Sequence, residues 1–286
     1  MTRIIESLDQ VAADYDVLFC DLWGCVHNGE RHYPAATDAL IRFRQGGGRV
    51  ALMTNAPRPA ALVQAQIDRM GVPPEAWDVI VTSGDAAQDA MLAGRIGQDV
   101  WHLGPEKDHG FFTETPDPRA AGIRRVDLDA AHGIVATGPF DEMADVPEDY
   151  RARLDAALAR GLPMLCANPD LVVDLGETRI YCAGAIAQLY GEMGGEVLYF
   201  GKPHAPIYDL ARRRLDGHTG RELAIGDGIG TDIAGAVAQG IDSLFVTGGL
   251  AAEHMGTDVE RPDAALLTDW AAAQGIVPTL AIGRLR

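Results

Sequence analysis

Asp21 closes the apolar run Val17-Leu18-Phe19-Cys20 and is followed by Leu22, Trp23 and Gly24. A buried strand that ends in a carboxylate, with glycine close behind, presents an aspartate nucleophile at the mouth of a parallel sheet. Three further apolar runs end in a similar way. Val50-Ala51-Leu52-Met53 ends at Thr54-Asn55, Val197-Leu198-Tyr199-Phe200 at Gly201-Lys202, and Leu223-Ala224-Ile225 at Gly226-Asp227. Open α/β sheets bind ligands outside the carboxyl ends of their strands, so Asp, Thr, Lys and Asp are expected to converge on one site.

Lys202 stands out on composition. The chain has 24 basic residues, of which only Lys107 and Lys202 are lysine. Where arginine is the habitual cation, a lysine at a strand end indicates a place that needs a compact ammonium rather than positive charge in general. The run Gly226-Asp227-Gly228-Ile229-Gly230-Thr231-Asp232 invites a dinucleotide-binding reading. A full G-x-G-x-x-G would need glycine at 231, where threonine stands, so the run is read as a turn and helix start carrying two carboxylates.

Cys20, Cys25, His27 and His32 fall within thirteen residues, and zinc uses such ligands. Cys20, however, sits inside the apolar strand, where alternation points its side chain away from that of Asp21. Buried cysteines and surface histidines are expected instead. Four cysteines in 286 residues suggest no disulfide framework.

The elements that must carry these residues alternate short apolar strands with helices, the pattern of βα units and a parallel sheet. After Pro34, the residues Ala36, Leu40 and Phe43 share one helical face, and Gly46-Gly47-Gly48 reads as a helix stop. A second helix is expected from about Pro57, with Val63, Ile67 and Met70 inward and Gly71 as terminator. Residues 84–196 form a long insertion with its own strands, Gly133-Ile134-Val135-Ala136 and Met164-Leu165-Cys166-Ala167. A helix near Pro147 there aligns Tyr150, Leu154 and Leu158. A folded insertion at the ligand end of a sheet is placed to act as a lid.

A net charge of −17 argues against a nucleic-acid-binding surface, and the one dense basic run, Arg212-Arg213-Arg214, reads as a solvated helix face. No apolar stretch reaches the length of a membrane span, and the N-terminus lacks the apolar core of a signal peptide, so a cytoplasmic location is expected.

Taken in order, Asp21-Leu22-Trp23-Gly24, Thr54-Asn55, Gly201-Lys202-Pro203 and the run from Gly226 to Asp232 resemble the haloacid dehalogenase superfamily. The size and place of the insertion, with Ala167-Asn168-Pro169-Asp170, resemble its class IIA branch of NagD-like and nitrophenyl-phosphatase-like hydrolases. The resemblance covers roughly residues 15 to 250. It implies a Rossmann-like parallel-sheet core formed by residues 1–83 and 197–286, with an α/β cap formed by 84–196. It further implies that Asp21 is the nucleophile, that Mg²⁺ is held by Asp21, Asp227 and the Trp23 carbonyl with support from Asp232, and that Thr54, Asn55 and Lys202 hold the phosphoryl group. Asn168 is a candidate substrate contact from the cap. A small phosphorylated metabolite as substrate and a homodimer are implied in the same way.

At position 23 the phosphatases of that family carry a second aspartate, which protonates the leaving oxygen and then activates water. Indole has no proton that titrates in a useful range. Three readings follow: a phosphatase that is slow, restricted to good leaving groups, or helped by His27, His32 or His204; a displacement at carbon–halogen or carbon–phosphorus bonds; or a non-catalytic protein that binds a phosphorylated metabolite.

Overall fold

The computed structural model describes residues 2–175, 178–217 and 220–286. The chain divides into two compact units, one formed by Met1–Thr54, Gln64–Val81 and Lys202–Arg286, the other by Asn55–Val63 and Thr82–Gly201.

The first unit is built on a seven-stranded sheet. Its strand order is Arg3–Ile4, Leu280–Ile282, Asp242–Val246, Glu222–Gly226, Val17–Asp21, Arg49–Thr54, Val79–Thr82. Val17–Asp21 pairs in parallel with Glu222–Gly226 on one side and Arg49–Thr54 on the other, so Phe19 lies between Ala224 and Ala51. Every residue of Val17–Asp21 is buried, as expected for a central parallel strand with both faces covered. One cover is the helix Ala205–Arg214, whose Tyr208 ring meets Phe19 edge-on at 5.8 Å. Another is Pro34–Gln45, which buries Ala36, Leu40 and Phe43 as their spacing predicts. It stops before the three glycines. Gly47 adopts φ +98°, and a Cβ on Gly48 would stand 2.1 Å from the Phe43 ring, so that turn has room for hydrogen only. The helix expected from Pro57 runs Ala60–Arg69, three residues later than anticipated, because the residue before Pro59 is driven out of the helical region.

The second unit holds a five-stranded sheet in the order Val197–Tyr199, Met164–Cys166, Gly133–Ala136, Asp99–Leu103, Arg124–Arg125, with every pair parallel. A separate antiparallel ribbon joins Val172–Leu175 to Thr178–Tyr181. Apolar clusters cover both faces of the five-stranded sheet, one around Tyr150, Leu154, Ile186 and Tyr190 and the other around Met91, Phe111 and Leu165. Tyr150 closes a short turn, Pro147–Tyr150, that leads into the helix Arg151–Ala159.

One strand changes sheet relative to the sequence reading. Val197–Tyr199, expected among the core strands, pairs with Met164–Cys166 in the second unit, and the chain returns to the first unit at Lys202. An apolar run of three or four residues carries no mark of which sheet it completes. Among the described residues no helix is long and apolar enough to cross a membrane.

Candidate active site

Four acidic or basic side chains from distant parts of the chain meet in the first unit. Asp21 ends its strand and is 8% exposed, and Lys202 is 4% exposed. Lys202 Nζ donates to Asp21 Oδ1 at 2.6 Å, to Asp232 Oδ1 at 2.7 Å and, more weakly, to the Met53 carbonyl at 3.4 Å. Three donated bonds satisfy an ammonium. Thr54 is buried at the end of the neighbouring strand, and Asp227 follows Glu222–Gly226 and is buried as well.

Asp227 is positioned by backbone. Its Oδ2 accepts the Leu250 N–H at 3.0 Å. Glycines on two sides make the space: a Cβ on Gly24 would lie 2.1 Å from that oxygen, and one on Gly249 2.0 Å from it. Gly24 also takes φ +73°, which an L side chain resists. The sequence analysis noted Gly24 only as a neighbour of Asp21 and passed over Gly249. The available signal was the fifth apolar strand, Asp242–Val246, which runs into Thr247-Gly248-Gly249.

Asp232 sits on the π-helical turn Ile229–Ile233. Its Oδ1 is taken by Lys202, while Oδ2 accepts the Gly228 N–H at 3.1 Å and lies 3.3 Å from the Thr231 hydroxyl. Its oxygens are thus occupied in fixing the ammonium and the turn. Among the described residues, Asp21, Asp227 and Cys25 offer ligand atoms that all lie within 4.8 Å of one another. The sequence analysis weighed Cys25 only with Cys20, His27 and His32, and the structure brings it beside the two aspartates instead.

The electrostatics follow from burial. Desolvation pushes the Asp21 carboxyl well above its ordinary range, against the pull of Lys202. Burial, with Asp232 nearby, raises Asp227 to about 7. Burial would lower Lys202, but Asp21 and Asp232 outweigh it and hold the ammonium charged. Burial, with the acidic neighbours adding to it, keeps the Cys25 thiol protonated. Three buried carboxyl groups share one ammonium, so ionising Asp21 and Asp227 in this low-dielectric site is costly without further positive charge. The oxygen donors suit a hard divalent cation such as Mg²⁺, whose charge would favour the ionised carboxylates.

The loop after Asp21 is tightly hydrogen-bonded. The Gly24 N–H donates to the His27 carbonyl at 2.9 Å and the Tyr33 N–H to the Val26 carbonyl at 2.8 Å. Trp23 turns its indole onto this loop: its ring meets His27 edge-on at 5.2 Å, and a Cβ on Gly29 would stand 2.3 Å from Trp23 Cη2. His27 is buried, not on the surface as expected. Its Nδ1 accepts the Gly29 N–H at 3.0 Å, and burial lowers its pKa to about 4, so the ring is neutral. His32 Nδ1 is 2.8 Å from the Met70 carbonyl oxygen and so carries a proton toward it. Burial lowers the pKa of His204, which precedes the helix Ala205–Arg214.

Asn55 and Asn168 lie in the second unit, where Asp170 links them. Asn55 Nδ2 donates to Asp170 Oδ1 at 2.8 Å, and the Asp170 N–H donates to Asn168 Oδ1 at 3.0 Å.

Asp21 thus ends one strand of the parallel sheet and Asp227 follows another, with Lys202 and Asp232 packed beside them. The sequence matches the haloacid dehalogenase-like hydrolase family over residues 18–115, and the HAD-hydrolase-like family over 199–273. It is 30% identical over 269 residues to the 5'-nucleotidase YutF of Bacillus subtilis, covering 90% of this chain and 97% of that protein. The fold is similar to a haloacid dehalogenase-like hydrolase from Brucella suis, with TM-score 0.83, 38% identity and 99% and 100% of the two chains covered. It is also similar to a glycerol phosphate phosphatase from Mycobacterium tuberculosis in complex with magnesium, with TM-score 0.65, 27% identity and 88% and 75% covered. The chain therefore belongs to the haloacid dehalogenase-like hydrolases, and its inserted α/β unit is consistent with the class IIA branch.

Proposed function

We propose that the protein is a Mg²⁺-dependent phosphatase of small phosphorylated metabolites, with Asp21 as its nucleophile. The observation that carries this reading is the buried Asp21–Lys202–Asp232 bridge beside Asp227. A carboxylate attacking a phosphoryl dianion needs its own charge and that of the substrate offset, and Lys202 is built in to do so. The phosphatase relatives, one of them bound to magnesium, support the same reading.

One oxygen of Asp21 attacks phosphorus and forms an aspartyl-phosphate, and water then releases phosphate. Lys202 orients the Asp21 carboxylate, and Asp232 holds Lys202 in place. Thr54 and the Asn55 backbone receive phosphoryl oxygens. Asp21, Asp227 and the Trp23 carbonyl would hold the cation, which supplies further charge neutralisation when bound. Asn168 is a candidate contact to the organic part of the substrate.

Trp23 favours a second reading, a protein that binds a phosphorylated metabolite without turning it over. Phosphate release from an aryl phosphate with saturating Mg²⁺, compared with Asp21→Asn from the same preparation, separates the two. Release that disappears in the variant supports the phosphatase. Equal background from both supports binding alone.

A further inference from the structure

We propose, resting on the phosphatase reading, that Trp23 restricts this site to activated phosphates, acyl or aryl, whose leaving group departs as an anion without being protonated. The loop after the nucleophile is where a proton donor for the leaving oxygen would stand, and its architecture commits that place to an aromatic wall. The indole is clamped between the His27 ring at 5.2 Å and the Cα of Gly29. Gly29 has φ +90°, and any side chain there would collide with the indole. A bulky residue two positions after the nucleophile is therefore built in by its neighbours.

The ammonium beside Asp21 has its protons committed. Lys202 donates to Asp21 and Asp232. His27 accepts the Gly29 N–H at Nδ1 and so keeps its proton on Nε2, in a ring packed edge-on against the indole, and His32 turns its Nδ1 proton to the Met70 carbonyl. With no proton delivered from position 23, the leaving group departs as an anion. An Asp21 oxygen forms the new bond to phosphorus, the bond from phosphorus to the leaving oxygen breaks, and its electron pair leaves as a carboxylate or phenolate. Water then attacks the aspartyl-phosphate, loses its proton to solvent and regenerates the Asp21 carboxylate with free phosphate.

The test measures kcat/KM with Mg²⁺ for phosphate esters of a dinitrophenol, a nitrophenol, phenol and a simple alcohol, and for acetyl phosphate, each corrected with Asp21→Asn protein. The wild type should show a steep fall from the dinitrophenyl ester to the alkyl ester. Acetyl phosphate should rank with the fast esters if acyl phosphates are accepted as well as aryl ones; if it is inert while activated aryl esters react, the class narrows to aryl phosphates. Trp23→Asp should raise the ratio of kcat/KM for the alkyl ester to that for the dinitrophenyl ester by about 10²–10⁴-fold, the usual worth of general acid catalysis. A shallow dependence in the wild type, or one that steepens only in His204→Gln, would reveal a working donor and overturn the inference while leaving the phosphatase reading intact. The wild-type series stands alone if Trp23→Asp does not fold. No Asp21-dependent release from any ester would sink the phosphatase reading itself, and this inference with it.

Discussion

Asp21 and Lys202 are 181 positions apart in sequence and 2.6 Å apart in space. Both are buried, and the same ammonium reaches Asp232 at 2.7 Å. The bridge ties the strand that ends in Asp21 to a distant part of the same unit, so it bears on folding as well as on the proposed chemistry.

Removing the ammonium leaves two carboxylates buried without their partner. Lys202→Met should destabilise the metal-free protein by about 3–5 kcal/mol, the usual cost of breaking a buried pair. Urea unfolding in the presence of a chelator measures it. Lys202→Arg should not rescue the loss, because a planar guanidinium cannot occupy the same point between Asp21 and Asp232. A change below 1 kcal/mol on Lys202→Met would mean that the bridge does not hold the site together.

The buried carboxyl groups of Asp21 and Asp227 should make Mg²⁺ a stabilising ligand. At a hundredfold excess over its dissociation constant the cation should add about 2.7 kcal/mol, visible as a rise in thermal midpoint over chelator-treated protein. Asp227→Asn should abolish most of that rise.

Gly249→Ala tests the same site from its backbone side. The new methyl would fall 2.0 Å from Asp227 Oδ2, so the carboxylate must move or lose the Leu250 N–H. Mg²⁺ affinity should drop at least tenfold, while far-UV circular dichroism stays native. Unchanged affinity would place the cation away from Asp227.

Much of this site was legible because each of Asp21, Thr54 and Asp227 directly follows or ends an apolar run, and parallel sheets place such residues at one edge. Lys202 was legible by rarity in a chain rich in arginine. What the pattern could not carry was partnership. Asp232 lies near the cation motif in sequence, yet both its oxygens are spent on Lys202, Gly228 and Thr231. The burial of His27 likewise depends on a loop whose glycine and indole pack on one another, and such packing leaves no periodicity in sequence. The strand Val197–Tyr199 joined the other sheet because its pairing depends on Met164–Cys166, more than thirty residues upstream.

The second unit carries its own acid response. His102 Nε2 is hydrogen-bonded to Thr137 Oγ1 at 2.9 Å, and burial, with His109 and Arg125 nearby, lowers its pKa to about 4. Between the unfolded value of 6.5 and about 4 the unfolded chain binds the extra proton, so stability falls as pH drops through that window. Asp108, which burial raises to about 6 and which Thr137 also bonds, acts in the opposite sense. In His102→Gln the loss of stability between pH 7 and pH 4 should shrink by up to roughly 3 kcal/mol. Urea unfolding across that range gives the comparison, and identical pH profiles would show that His102 titrates normally.

The claim that all else depends on is the bond between Asp21 and phosphorus. Protein mixed with an activated aryl phosphate and Mg²⁺, quenched in acid within the first turnover and weighed intact, reports that bond directly. The account predicts the added mass of one phosphoryl group, located on the peptide containing Asp21 and missing from Asp21→Asn. Aryl phosphate hydrolysis with no adduct at any quench time, and with full activity in Asp21→Asn, would contradict it.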